Sequence, residues 1–135
     1  MSWWEQVYEC IDVGNKFRTP GCGQEGNRSR PFVVLDKIQD RIIVLSGKAR
    51  IPLDRPCFEV IEETLTLNPH RQLRTAPLYD NQAIEVGGVD ELIRIRTGSN
   101  LARSHYVSSI LVSIGLVRYV MVGNKKCIEL NSKPK

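Results

Sequence analysis

The chain has no apolar run near the roughly 18 residues that a membrane span requires, and its N-terminus lacks the basic-then-apolar order of a secretory signal. Both absences lead to the expectation of a cytoplasmic protein with no membrane partner. Its four cysteines, Cys10, Cys22, Cys57 and Cys127, include no CxxC pair, which argues against a zinc ribbon or a thioredoxin-like centre. Cys57 and Cys127 lie in apolar runs and are expected in the core, which leaves Cys22, in a glycine-rich loop, as the thiol to test for reactivity. There are two histidines, His70 and His105, and neither has a sequence neighbour that suggests a general base or a metal ligand. No serine sits in a GxSxG elbow, and no GxxxxGK[ST] loop is present to cradle phosphates. No metal, cofactor or catalytic residue is therefore expected.

What is present is ordinary for a globular chain of 135 residues: 41% hydrophobic and 25% charged. The charge is unevenly placed. Residues 1–88 hold 11 Lys/Arg against 12 Asp/Glu, whereas residues 89–135 hold 8 against 3, so the net charge of +4 resides in the C-terminal third. Clustered positive charge is the footprint of an anion-binding surface, and nucleic-acid phosphate is the commonest such anion.

Near the N-terminus, "SWWEQVYECIDVG" reads as a short helix, with Ser2 and Glu5 as a capping box and Gly14 as the stop. Trp3, Val7 and Ile11 share a face, with Trp4 and Tyr8 beside them. This face is expected to pack on a sheet, and docking to a protein partner through Trp3 or Trp4 is the alternative. The glycine-rich loop over residues 18–31 carries Arg18, Arg28 and Arg30, auxiliary phosphate contacts. Residues 32–53 then read as three short strands in a meander. The first two are apolar on both faces, so cover on both sides is expected; the third alternates Ala49, Ile51 and Leu53 with Lys48, Arg50 and Pro52, as an edge strand would. A helix follows, capped by Asp54, tolerating Pro56 in its first turn, striped by Phe58, Ile61 and Leu65, and ended by Asn68-Pro69. The expected organisation is α+β: a small curved antiparallel β lobe flanked by helices at 1–68, a linker at 69–88 with a short strand at 83–86, and a second lobe at 89–135.

In that second lobe "VDELIRIR" makes two helical turns and "TGSN" breaks them. Ser99 or Asn100 can cap a longer helix in which Ala102, Tyr106, Val107, Ile110, Leu111 and Ile114 recur at three- and four-residue intervals until Gly115. The opposite face carries Arg103, Ser104, His105 and Ser108, thin enough to enter a groove. "LVRYVMVGNKKCIEL" then gives two β runs around a Gly-Asn turn. Two helices, then a hairpin tipped by lysines, resemble the winged helix-turn-helix superfamily over residues 84–131; the helix such a domain has ahead of the pair is either the one at 54–67 or missing. "VGNKFRTPG", the β meander and "YVSSILVSIGLV" together also resemble uncharacterised prokaryotic accessory proteins that join a β lobe to a winged-helix lobe.

The resemblance implies binding to double-stranded DNA without catalysis. Ser99, Asn100, Arg103, Ser104 and Ser108 would read base edges; Arg96, Arg118, Asn124, Lys125 and Lys126 would contact phosphates. Arg118 can instead pair with Glu129 across the hairpin. A homodimer would suit a palindromic site. Two rivals remain: a protein-interaction adaptor using the N-terminal lobe, and a metal-dependent nuclease built on Asp36, Asp40 and Asp54 with Lys37 or Lys48, residues better explained as turn formers.

Overall fold

The computed structural model describes residues 1–20, 29–76, 88–123 and 125–131. Its elements run α1 (Trp3–Cys10), β1 (Lys16–Arg18), β2 (Pro31–Ile38), β3 (Arg41–Ser46), β4 (Ala49–Asp54), α2 (Arg55–Leu67), β5 (Leu73–Arg74), α3 (Val89–Thr97), α4 (Ser104–Ser113), β6 (Val117–Val122) and β7 (Lys125–Leu130). They form two antiparallel sheets, of order β1-β2-β3-β4 and β5-β7-β6, so the fold is α+β.

Helix α1 begins as its sequence dictates, with the Ser2 hydroxyl accepting the Glu5 backbone N–H at 3.2 Å. It ends sooner than Gly14: Ile11 is already extended, and Gly14 serves at φ +93° in the turn that leads to β1. Ser2→Ala should lower stability by about 1 kcal/mol, a fall in the urea midpoint at unchanged slope. The exposed face of α1 is not aromatic. Trp3 and Trp4 are buried, and the Trp4 ring lies 5.6 Å from Phe58 of α2.

The first sheet is a meander with short turns. Asp40 takes φ +60° between β2 and β3, and a bulge at Val34/Asp36 resets the register. β4 is an edge strand, and its Pro52 can sit there because an edge leaves one row of backbone groups without a ladder partner. Phe32, Val34, Ile42, Val44 and Leu53 are buried on the inner face. Among the described residues, cover on both faces, as the double apolar pattern of β2 and β3 implied, is not seen: Val33, Leu35, Ile43 and Leu45 are half-buried and lie outside the main core cluster. Each of α1, α2, α3 and α4 contributes residues to that core cluster.

Helix α2 carries Pro56 in its first turn and buries Phe58, Ile61 and Leu65 as its period requires. Asp54 occupies the capping position but makes no side-chain cap bond. Its carboxylate is held instead by Arg41 at 2.6 Å and Arg103 at 3.0 Å.

Segments 1–68 and 89–135 share one hydrophobic cluster, running from Trp3 through Phe58 and Leu65 to Ile93, Ile110 and Ile128. The linker expectation fails in part for the same reason. Leu73, fully buried, brings β5 alongside β7, and the Thr75 N–H and hydroxyl both donate to the Lys126 carbonyl. The strand expected at 83–86 lies outside the described residues.

Candidate nucleic-acid interface

Helix α3 ends at Gly98, whose φ of +68° supplies the left-handed cap that lets its N–H reach the Arg94 carbonyl. The chain then runs irregularly to Arg103 before α4 starts at Ser104, three to four residues later than a cap at Ser99 or Asn100 would place it. Ser99 stays in this loop, its hydroxyl accepting the Leu101 N–H at 3.2 Å, and Asn100 is exposed.

The three remaining base-reading candidates turn inward. Arg103 is 1% exposed. Its guanidinium donates to the Pro52 carbonyl at 3.1 Å, to Asp54 at 3.0 Å and to the Thr97 hydroxyl at 2.9 Å, tying the start of α4 to the end of β4 and the end of α3. Ser104 and Ser108 are fully buried. Next to them, the Ser109 hydroxyl donates to the Arg18 carbonyl of β1 at 2.7 Å, and Tyr106 meets Phe32 of β2 edge-on at 5.1 Å between centroids. The side of α4 that carries Tyr106 and Ser109 therefore faces the first sheet, and Arg103, Ser104 and Ser108, all buried, present nothing to a groove.

His105, also on α4, is half-buried, and its Nε2 is buried without a hydrogen-bond partner. Burial holds its pKa below the ordinary 6.5, against a smaller upward pull from Asp90. An imidazole kept neutral in the fold, but protonated near 6.5 in the unfolded chain, gives full stability above that pH. Stability should fall as the pH drops below it, until the folded imidazole also protonates. His105→Gln should flatten that part of the stability-pH curve, measured by urea unfolding from pH 7.5 to 5.

The phosphate candidates fare differently from one another. Arg96 forms an ion pair with Glu63 of α2, and this contact raises its pKa while lowering that of the carboxyl. Arg118 pairs with Glu129 across the hairpin, Nε to Oε2 at 2.8 Å, and Glu129 also accepts from Gln72 at 3.0 Å. Lys125 is exposed, and the Lys126 ammonium sits 5.2 Å from the Tyr119 ring centroid. Burial pushes the Tyr119 hydroxyl up to about 12, so that ring is neutral at any physiological pH. Asn124 and Arg28 lie outside the described residues. Arg18 is turned onto Ser29, Nε to Oγ at 3.2 Å, and Arg30 is exposed.

The signal that sequence reading missed is the apolar content of the hairpin tip. Met121 and Val122 are 46% and 42% exposed and stand opposite Lys126 and Lys125 in the register. No acidic residue occurs from Val117 to Ile128.

The nuclease carboxylates do not converge. The Asp36 side chain accepts its neighbour's N–H, Asp40 pairs with Arg55, and Asp54 is held by Arg41 and Arg103. Among the described residues no group of three His, Cys, Asp or Glu side chains could hold a metal ion. Cys57 and Cys127 are buried, and burial raises the Cys57 thiol to about 11, which leaves it unreactive. Cys22 lies outside the described residues. Gly21, Gly23 and Gly26 do carry a GxGxxG spacing, but the element after them is strand β2, not the helix whose N-terminus gives that motif its affinity for phosphate. Among the described residues no helix is long and apolar enough to cross a membrane. No protein-family model, curated protein or solved structure matches the chain.

Proposed function

We propose that this chain is a non-catalytic module that binds double-stranded DNA through the β6–β7 hairpin, with α4 serving as a structural joint and not as the reading helix. The observation that carries this reading is the hairpin tip: two lysines beside exposed Met121 and Val122, with no carboxylate over twelve residues. Such a tip offers positive charge to a phosphate backbone with no negative charge among those residues to repel it. The succession α2, β5, α3, α4, β6, β7, with sheet order β5-β7-β6, supports the winged resemblance and supplies α2 as the helix ahead of the pair. With Arg103, Ser104 and Ser108 buried, binding of this kind is led by phosphates and has weak sequence preference.

The test is binding to a random duplex at about 50 and 200 mM salt, where counterion release is most visible. Steep loss of affinity with salt supports the reading. The double variant Lys125→Ala/Lys126→Ala should bind more weakly and lower the slope of log K against log salt by about 1.8, two phosphate contacts at about 0.9 each. A double variant that binds as wild type at both salt concentrations removes the hairpin from the interface.

A further inference from the structure

A second surface is independent of the hairpin. The outer face of the first sheet carries Val33, Leu35, Ile43 and Leu45, half-buried and outside the core cluster that claims their inner neighbours. The register places these side chains in order. Lys16 of β1 pairs with Val33, Val33 with Leu45, and Leu45 with Arg50 of β4, so one row across the four strands reads cation, aliphatic, aliphatic, cation. In the next row Ile43 lies between Asp36 and Pro52. Lys16 and Arg50 are both exposed at the two edges of the sheet. Asp54, at the far end of β4, already holds Arg41 and Arg103.

We propose that this face docks an extended protein segment that presents acidic, aliphatic, aliphatic and acidic side chains in turn on one of its faces, its aliphatics on Val33, Ile43 and Leu45 and its carboxylates on Lys16 and Arg50. Charge complementarity selects the occupant. An aliphatic stripe between two cationic edges fits an acidic amphipathic partner. Single-stranded nucleic acid would need aromatic rings to stack on, and the aromatics of this sheet, Phe17 and Phe32, stack with each other at 5.5 Å, with Phe32 on the buried side. A second copy seated symmetrically would bring the cationic edges of the two chains together.

The experiment follows backbone amide shifts of the 15N-labelled full chain on addition of a synthetic peptide with glutamate, valine, valine and glutamate at every second position and serine between them. The same peptide with lysine in place of glutamate and an oligo-thymidine strand serve as comparators. Saturable shifts at Lys16, Val33, Ile43, Leu45 and Arg50 with the acidic peptide alone are expected. Lys16→Glu/Arg50→Glu should weaken that binding by roughly tenfold or more and bind the basic peptide in its place, a reversal that loss of folding could not produce. No saturable shift, shifts outside this face, or the same shifts with oligo-thymidine would overturn the proposal. Concentration-dependent shifts at this face in the free protein, pointing to self-association, would overturn it as well.

Discussion

Replacing Arg103 with alanine should destabilise the protein by about 3 kcal/mol or more, the range for removing one partner of a buried ion pair. The side chain is 1% exposed and joins three elements through Pro52, Asp54 and Thr97. Its loss strands the Pro52 carbonyl and half of the Asp54 carboxylate, although Arg41 still pairs with the other oxygen. A melting temperature lower by roughly 10 °C is the expected readout. Arg103→Met fills the same volume without the charge and should recover part of the loss, because buried pairs replaced by apolar groups cost less than pairs that are broken. If Arg103 instead read DNA from an exposed position, Arg103→Ala would leave stability within about 0.5 kcal/mol of wild type and reduce affinity. Stability and binding measured on the same variant separate the two roles.

The second large effect is expected at Phe32, in the seam between the first sheet and α4. Phe32 is buried, stacks on Phe17 at 5.5 Å and meets Tyr106 edge-on at 5.1 Å. Phe32→Ala should cost about 3–5 kcal/mol, the range for deleting a buried aromatic ring. Phe32→Leu, which keeps aliphatic filling and loses only the two ring contacts, should cost about 1–3 kcal/mol, at about 0.5–1.5 per aromatic pair. The leucine variant also bears on function. Loosening the seam exposes more of α4, and a hidden reading helix would then gain affinity for DNA. Unchanged affinity is the expected result, since the hairpin is untouched.

Much of the fold follows from short-range signals that the chain states plainly. The Ser2 cap, the Pro56 start and the Phe58-Ile61-Leu65 stripe place α1 and α2, and the β-branched runs around Asp40 and Gly47 place β2, β3 and β4. β1 and β5 escape notice because they are three and two residues long, too short to show a period, and are held by their partners and not by their own propensity. The candidate site was legible in its hairpin and not in its helix. Periodicity separates the polar from the apolar side of α4 but says nothing about what lies opposite. Ser104 and Ser108 look solvent-facing by period, yet both are fully buried. Arg103 shows the same limit: a long cationic side chain reads as surface until Asp54, 49 residues away, is brought within 3.0 Å. The pairing of Arg118 with Glu129, in contrast, was readable, because a hairpin register links two nearby residues.

The most direct test of the hairpin-led account is shift mapping of the 15N-labelled protein with a short duplex at low salt. Perturbations concentrated on Val120–Cys127, with the amides of Ser104–Ser113 unmoved, are the predicted result. Perturbations centred on α4, with the hairpin unmoved, would contradict it and restore the helix as the reader.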